Sequence, residues 1–281
     1  MSAYQIPDKN KLWVQPNKSD IFGNLWATFN MDFDSVLGKV KVAPRLKINR
    51  DSTDLSNLGV PWGFLRTSAS STDQWWAGAG ARMFKTAGTD PTANFAQDAI
   101  TNTPTTLSLL SSDIVEFDSD LVVSDTDDLH RLVAGAWTNS WWKTTLSKTF
   151  TNTGIDRPLC ATKKTNLLLI GDGNLIHTIT AADVVSTSRV ILPTEFRIIW
   201  MRSSSDGTWI GTWNKINREA QIFFWDEYSE NYNRSYGVKS DIALSGIIQN
   251  GIPHTVNGEG QLLKFTGAGF EEIAVLPIFK Q

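Results

Sequence analysis

The densest set of groups able to do chemistry is acidic: Glu116, Asp118 and Asp120, followed by Asp125, Asp127 and Asp128. Alternation along a strand beginning at Ile114-Val115 would set the first three carboxylates on one face. Asp118, Asp120 and Asp125 are the candidate oxygen ligands for a hard cation such as Ca²⁺, but the run lacks the glycine and distal Glu of an EF-hand loop. The preferred reading is a solvated strand edge whose charges discourage pairing with another chain, and no metal is expected. His130, His177 and His254 are isolated in sequence, outside any His-Glu-x-x-His spacing. The chain has neither a Gly-x-Ser-x-Gly elbow nor a phosphate-binding Gly-x-x-x-x-Gly-Lys-Ser/Thr loop, so the sequence nominates no catalytic residue and no cofactor.

Aromatic side chains are the stronger functional lead. Twelve Trp and fourteen Phe stand against four Tyr. Trp75-Trp76 and Trp141-Trp142 are adjacent pairs, so on a strand one ring of each points away from the other, and Trp209 and Trp213 share a face across Gly211. An open aromatic platform suits stacking on a sugar or anchoring a protein partner, which makes Trp75, Trp142, Trp209 and Trp213 the candidate contacts to a partner or glycan. The competing role for each of these rings is packing between sheets.

Positioning such rings requires a β framework. Short apolar runs punctuated by Gly, Asn, Asp and Ser recur along the chain, and sustained helical periodicity is hard to find. Gly171-Asp172-Gly173-Asn174-Leu175-Ile176 and Gly258-Glu259-Gly260-Gln261-Leu262-Leu263 read as two copies of one glycine hairpin. Three more hairpins are expected at Gln74 to Lys85, Leu132 to Lys143 and Gly207 to Trp225. Aligning Met83, Trp141, Leu175, Ile222 and Leu262 gives steps of 58, 34, 47 and 40 residues, the length of one four-stranded propeller blade. The fold expected is therefore all-β, a β-propeller of about five to six blades built from antiparallel four-stranded sheets, with a β-sandwich as the alternative. Residues 1–50 form an N-terminal extension or first strands and 51–281 the propeller domain, with Thr86 to Ser112 as an inserted, partner-seeking loop.

The remaining composition bounds the partners. Twenty-six basic and 29 acidic residues give a formal charge of −3, with no basic run longer than Lys163-Lys164, which argues against sequence-specific nucleic-acid binding. No apolar run reaches the roughly 18 residues of a membrane span, and the N-terminus has no signal-peptide pattern, so synthesis in a cytoplasm is expected. Cys160 stands alone, which excludes an intramolecular disulfide; a small buried hydrophobe is its expected role.

Ile21-Phe22-Gly23-Asn24-Leu25-Trp26, followed by Leu37-Gly38-Lys39-Val40-Lys41-Val42-Ala43-Pro44-Arg45-Leu46, resembles the start of propeller proteins in tailed-bacteriophage genomes, where such a phrase precedes Gly-Asp-Gly-x-Leu/Ile segments. The resemblance covers residues 20 to 90 and the glycine hairpins. It implies a tail-associated or nozzle-like virion structural protein whose partners are other virion subunits and a host glycan or receptor. Ser204-Ser205-Asp206-Gly207-Thr208-Trp209 is similar to the Asp-box hairpin of sialidase propellers, but Asp206 and Gly207 are adjacent where that motif separates them. A structural, non-enzymatic protein is thus expected, the alternative being a carbohydrate-binding or glycoside-cleaving propeller.

Overall fold

The computed structural model describes residues 31–32, 41–42, 61–67, 73–79, 82–86, 88, 96–97, 113–125, 128–151, 160–164, 166–214 and 216–275. For 31–32, 41–42, 61–64, 66, 79, 82, 96–97 and 160–164 the backbone alone is described, which leaves the expected burial of Cys160 outside the described side chains. A two-stranded ribbon, β1 (Met31–Asp32) and β2 (Lys41–Val42), precedes five four-stranded sheets. Sheet one is β3 (Pro61–Thr67), β4 (Gln74–Ala79), β5 (Arg82–Lys85) and β6 (Ala96–Gln97). Sheet two is β7 (Ile114–Phe117), β8 (Asp120–Ser124), β9 (Leu129–Val133) and β10 (Ala136–Thr138). Sheet three is β11 (Cys160–Lys164), β12 (Leu167–Asp172), β13 (Leu175–Thr180) and β14 (Val185–Ile191). Sheet four is β15 (Phe196–Ser203), β16 (Thr208–Asn214), β17 (Gln221–Trp225) and β18 (Arg234–Gly237). Sheet five is β19 (Ala243–Gln249), β20 (Ile252–Asn257), β21 (Gln261–Phe265) and β22 (Phe270–Val275). Within every sheet the strands are antiparallel and lie in chain order.

Tight turns fix these meanders. Asp118-Ser119 joins β7 to β8, Ala134-Gly135 joins β9 to β10, and Asn250-Gly251 joins β19 to β20; both residues of each pair have positive φ. That is the backbone of a two-residue type I′ turn, whose twist matches the flanking strands, and Asn-Gly is its most favourable sequence. Glu116 and Asp120 therefore sit on different strands, and Asp118 is in the turn between them, so the three carboxylates do not line one strand face. The expected inserted loop is also corrected: within 86–112, Ala96–Gln97 pairs with β5 as the fourth strand of sheet one.

The third strands begin at residues 82, 129, 175, 221 and 261, giving steps of 47, 46, 46 and 40. The spacing is more regular than the sequence alignment because Trp141 is misplaced in that alignment. It belongs to a π-helical turn, Trp141–Thr145, after sheet two, and the equivalent strand is β9.

First strands of successive sheets touch in series, β3 with β7, β7 with β11, β11 with β15 and β15 with β19. Arg202 at the end of β15 donates to Asp113 just before β7 at 3.3 Å, so side chains of sheets two and four meet past sheet three. Sheets that stack face to face while their first strands converge form a β-propeller, with five blades among the described residues.

Four apolar cores lie between the five blades. One holds Trp76, Met83, Leu121 and Trp137; the next Val122, Leu129, Trp142 and Ile170; the third Leu169, Ile176, Ile210 and Phe223; the fourth Trp200, Trp209, Ile222 and Leu263. Neighbours in sequence alternate between cores. Leu121 and Val123 face one blade and Val122 the other, which is why every residue of β8 is buried.

Trp200 wedges blade four against blade five. A Cβ added to Gly211 would lie 2.1 Å from its ring, and one added to Gly246 2.4 Å. Gly211→Ala and Gly246→Ala should each cost roughly 1–3 kcal/mol through overpacking. Gly237→Ala, where a Cβ meets nothing within 4 Å, should stay within about 0.5 kcal/mol. Urea unfolding checks this, and equal effects at all three sites would contradict the wedge.

Candidate functional site

Most ionisable clusters are occupied by one another. Arg131 on β9 donates through Nε (2.8 Å) and Nη2 (2.7 Å) to Asp120, and through Nη1 to Asp183 at 2.7 Å, with Asp118 3.8 Å away. Its guanidinium also lies over the Trp141 ring, 4.7 Å from the centroid. The arginine thus sits where a cation gathered by Asp118 and Asp120 would sit, and it ties blade two to the β13–β14 turn of blade three. Burial raises the Asp120 carboxyl above its usual range, with the bond to Arg131 pulling the other way. Asp125, the third candidate ligand, instead faces His130 Nε2 at 3.7 Å.

Two buried Asp–His pairs repeat in successive blades. Asp172 Oδ2 is 3.1 Å from His177 Nε2 and accepts the Thr151 N–H at 2.7 Å, while His177 Nδ1 accepts the Ser188 N–H at 2.9 Å. Because Nδ1 accepts, the ring proton belongs on Nε2, directed at the carboxylate. Asp125 and His130 have the same five-residue separation, and His130 Nδ1 accepts the Ser140 N–H at 3.2 Å. The Asp172–His177 bond joins the second and third strands of blade three beneath the surface, whereas His130 Nε2 in blade two stands 3.7 Å from Asp125, beyond hydrogen-bond range.

The candidate tryptophans divide. Trp142 is fully buried and stacks on Phe150 at 4.6 Å with planes 4° apart, so it is not an accessible contact. The alternation rule misplaced it, because Trp141-Trp142 lies in a π-helical turn, and both rings enter the same core. On β4 the rule succeeds: Trp76 is buried and Trp75 half-buried. Trp213 is half-buried. Trp209 remains 7% exposed and lines a cleft that gathers aromatic and charged groups together.

This cleft, of about 950 Å³, opens between blades four and five. Trp209, Phe224, Tyr236 and Phe265 form its aromatic side, with Trp209 centred 4.9 Å from Phe224, 4.8 Å from Phe265 and 6.0 Å from Tyr236. Asp206, Asp226, Asn233, Arg234 and Lys264 supply the polar side. These residues come from, or border, the first–second and third–fourth connections of both blades, so the site lies on one rim of the propeller. The sequence marked Asp206 and Trp209, in the 204–209 segment, but not the other lining residues, which come from further strands and loops and show no shared spacing.

The β17–β18 loop is locked by Asp226. Its Oδ1 accepts the N–H groups of Tyr228 (2.9 Å) and Ser229 (2.8 Å), and its Oδ2 accepts the Ser229 hydroxyl (2.8 Å) and Asn233 Nδ2 (2.9 Å). The Ser229 bonds, aided by Tyr228 and Asn233, hold its carboxyl well below the usual carboxylate range. On the neighbouring blade, His254 Nδ1 lies 3.0 Å from Ile252 O, and burial lowers its pKa, with Lys264 adding to the effect.

No protein-family model and no curated protein matches the chain. Solved structures do match in shape. Hydrazine synthase from Kuenenia stuttgartiensis aligns with a TM-score of 0.52 at 10% identity, over 76% of this chain and 65% of that one, so the chain spans less than two thirds of it. The designed protein Ika8 (TM-score 0.43, 10% identity, 77% and 74%) and BBS1N in complex with ARL6DN (0.46, 12%, 76% and 67%) align more loosely. At these identities the likeness concerns the fold alone: this chain has the β-propeller fold.

A carboxylate with a lowered pKa stabilises above the ordinary value of about 3.9, and loses that contribution only as pH falls through its depressed folded value. The Tyr228 and Ser229 amides should therefore keep their protection from hydrogen exchange down to about pH 3, and lose it at neutral pH in Asp226→Ala. Loss of protection in the unmutated protein on going to pH 3 would contradict this role of Asp226.

Proposed function

We propose that this propeller is a tail-associated structural component of a bacteriophage virion, made in the host cytoplasm, which contacts other virion subunits and recognises the host surface. The observation carrying the recognition part is the rim cleft, where Trp209, Tyr236 and Phe265 meet charged side chains at an opening between blades. Buried aromatic anchors ringed by polar groups are the usual centre of a recognition surface. The virion part rests on the phrases at 21–26 and 37–46 and on the glycine hairpins, whose resemblance is to phage propellers. The acids and histidines of blades two and three support a non-catalytic role, because Arg131, Asp120, His177 and Asp172 are spent on one another in holding strands together.

A second reading has one observation in its favour: the cleft presents two carboxylates, Asp206 and Asp226, beside aromatic rings, as a carbohydrate-binding or glycoside-cleaving propeller would. The readings part in purified particles. Mass spectrometry and electron microscopy of virions should find the chain as a stoichiometric tail subunit, and the isolated protein should not hydrolyse simple glycosides. Absence from particles, together with turnover abolished by Asp206→Asn, would replace the first reading by the second.

A further inference from the structure

The cleft has an unbalanced hydrogen-bonding inventory. Asp226 already accepts four bonds from its own loop, and Asn233 uses Nδ2 on Asp226 and Oδ1 on the Asp226 N–H at 2.7 Å. Asp206 accepts from the Ser205 hydroxyl at 2.8 Å. Arg234, exposed at the start of β18, and Lys264, half-buried on β21, both line the cleft, and neither meets a hydrogen-bond acceptor among the described residues. Asp226 and Asn233 are committed within their own loop and Asp206 accepts through Oδ1, whereas the Arg234 guanidinium and Lys264 ammonium offer donors that no acceptor among the described residues takes up. His254, paired across the strands with Lys264, is held toward its neutral form and does not add a third cation near pH 7.

We propose that the cleft between blades four and five binds a saccharide carrying a ring carboxylate, a uronic or sialic acid unit, without cleaving it. The half-buried faces of Tyr236 and Phe265 receive the apolar C–H face of the sugar ring, and Arg234 and Lys264 take its carboxylate through charge-assisted bonds. A planar guanidinium pairs with a carboxylate through two parallel bonds, which a neutral hydroxyl cannot reproduce. Locking of the β17–β18 loop by Asp226 holds Asn233, at the loop's end, beside Arg234 before the ligand arrives, so little ordering remains to be done on binding. The binding rests on the surface-recognition part of the proposed function and is independent of whether the chain is a virion subunit.

The test uses the full chain on an oligosaccharide array holding polysialic acid and oligouronates, with uncharged glucose, galactose, mannose and N-acetylglucosamine oligomers as comparators. Binding to acidic members is expected, weakening as salt rises. Arg234→Ala and Lys264→Ala should each reduce it at least about tenfold, and intrinsic fluorescence should shift because Trp209 lines the site. Both positions are on or near the surface, and unchanged circular dichroism and thermal unfolding confirm that the variants fold. Failure to bind any acidic saccharide, equal binding of uncharged ones, or binding indifferent to both substitutions would overturn the proposal. None of these outcomes bears on the presence of the chain in particles, which mass spectrometry of virions decides separately.

Discussion

Every blade between the first and the last must bury both of its faces, and most of the remaining structure follows from that requirement. A single four-stranded sheet cannot close a core by itself; it becomes stable only when another sheet covers each face. In blade three, Leu168 and Ile170 enter the core shared with blade two, and Leu169, between them, enters the core shared with blade four. Blade four repeats the arrangement, with Ile210 and Phe223 on one side and Trp209 and Ile222 on the other. The middle strands read as unbroken apolar runs for this reason, where a sheet with one wet face would alternate.

Aromatic rings fill the wider gaps between the blades. Trp76, Trp142 and Trp200 are buried with indole N–H groups that find no protein acceptor among the described residues. An unmet donor costs about 1–3 kcal/mol. Burying 150–250 Å² of ring at about 25 cal/mol per Å² returns roughly 4–6 kcal/mol. Packing therefore outweighs the polar loss at each site. The same preference explains why Gly211 and Gly246 flank Trp200: removing two side chains makes room for one large ring.

Polar residues are concentrated where second strands give way to third strands. Asp172 and Asn257 end their strands there, and so does Asn214, whose Oδ1 accepts the N–H groups of Ile216 and Asn217 at 3.1 and 3.0 Å. Asn257 Oδ1 similarly accepts from Glu259 and Gln261 at 3.1 and 2.9 Å. Asn214 and Asn257 terminate the meander in the manner of Asx turns, which mimic a backbone turn, whereas Asp172 accepts from Thr151 and pairs with His177. A polar residue at the strand end is shared between blades even though the turns differ in length: Gly173-Asn174 in one and 258–260 in another. That one-residue difference shifts His177 against Lys264 when the glycines are matched, and the use of Trp141 in place of β9 hid the Asp–His repeat of blades two and three from the sequence alignment.

Fold class and most strands were legible because hairpins depend on local chemistry: glycine and asparagine at turns, and apolar runs of strand length. Three features were not. Trp141-Trp142 has the composition of a strand but winds into a π-helical turn, since Ser140 adopts a left-handed backbone (φ 54°) and redirects the chain. The short strand β6 lies in a polar Thr/Asn-rich segment without an apolar pattern, because an outermost strand need not bury both faces. The cleft joins residues from two blades across about sixty positions, and only the 204–209 segment, with Asp206 and Trp209, carried a signal.

The two-faced burial of each blade can be tested on adjacent residues of a single strand. Leu169 and Ile170 are neighbours on β12 and both are fully buried, in different cores. Denaturant unfolding of Leu169→Ala and of Ile170→Ala should show that each costs roughly 2–5 kcal/mol. A large loss for one and a near-neutral effect for its neighbour would show a sheet with one solvated face, and would contradict the stacked-blade account.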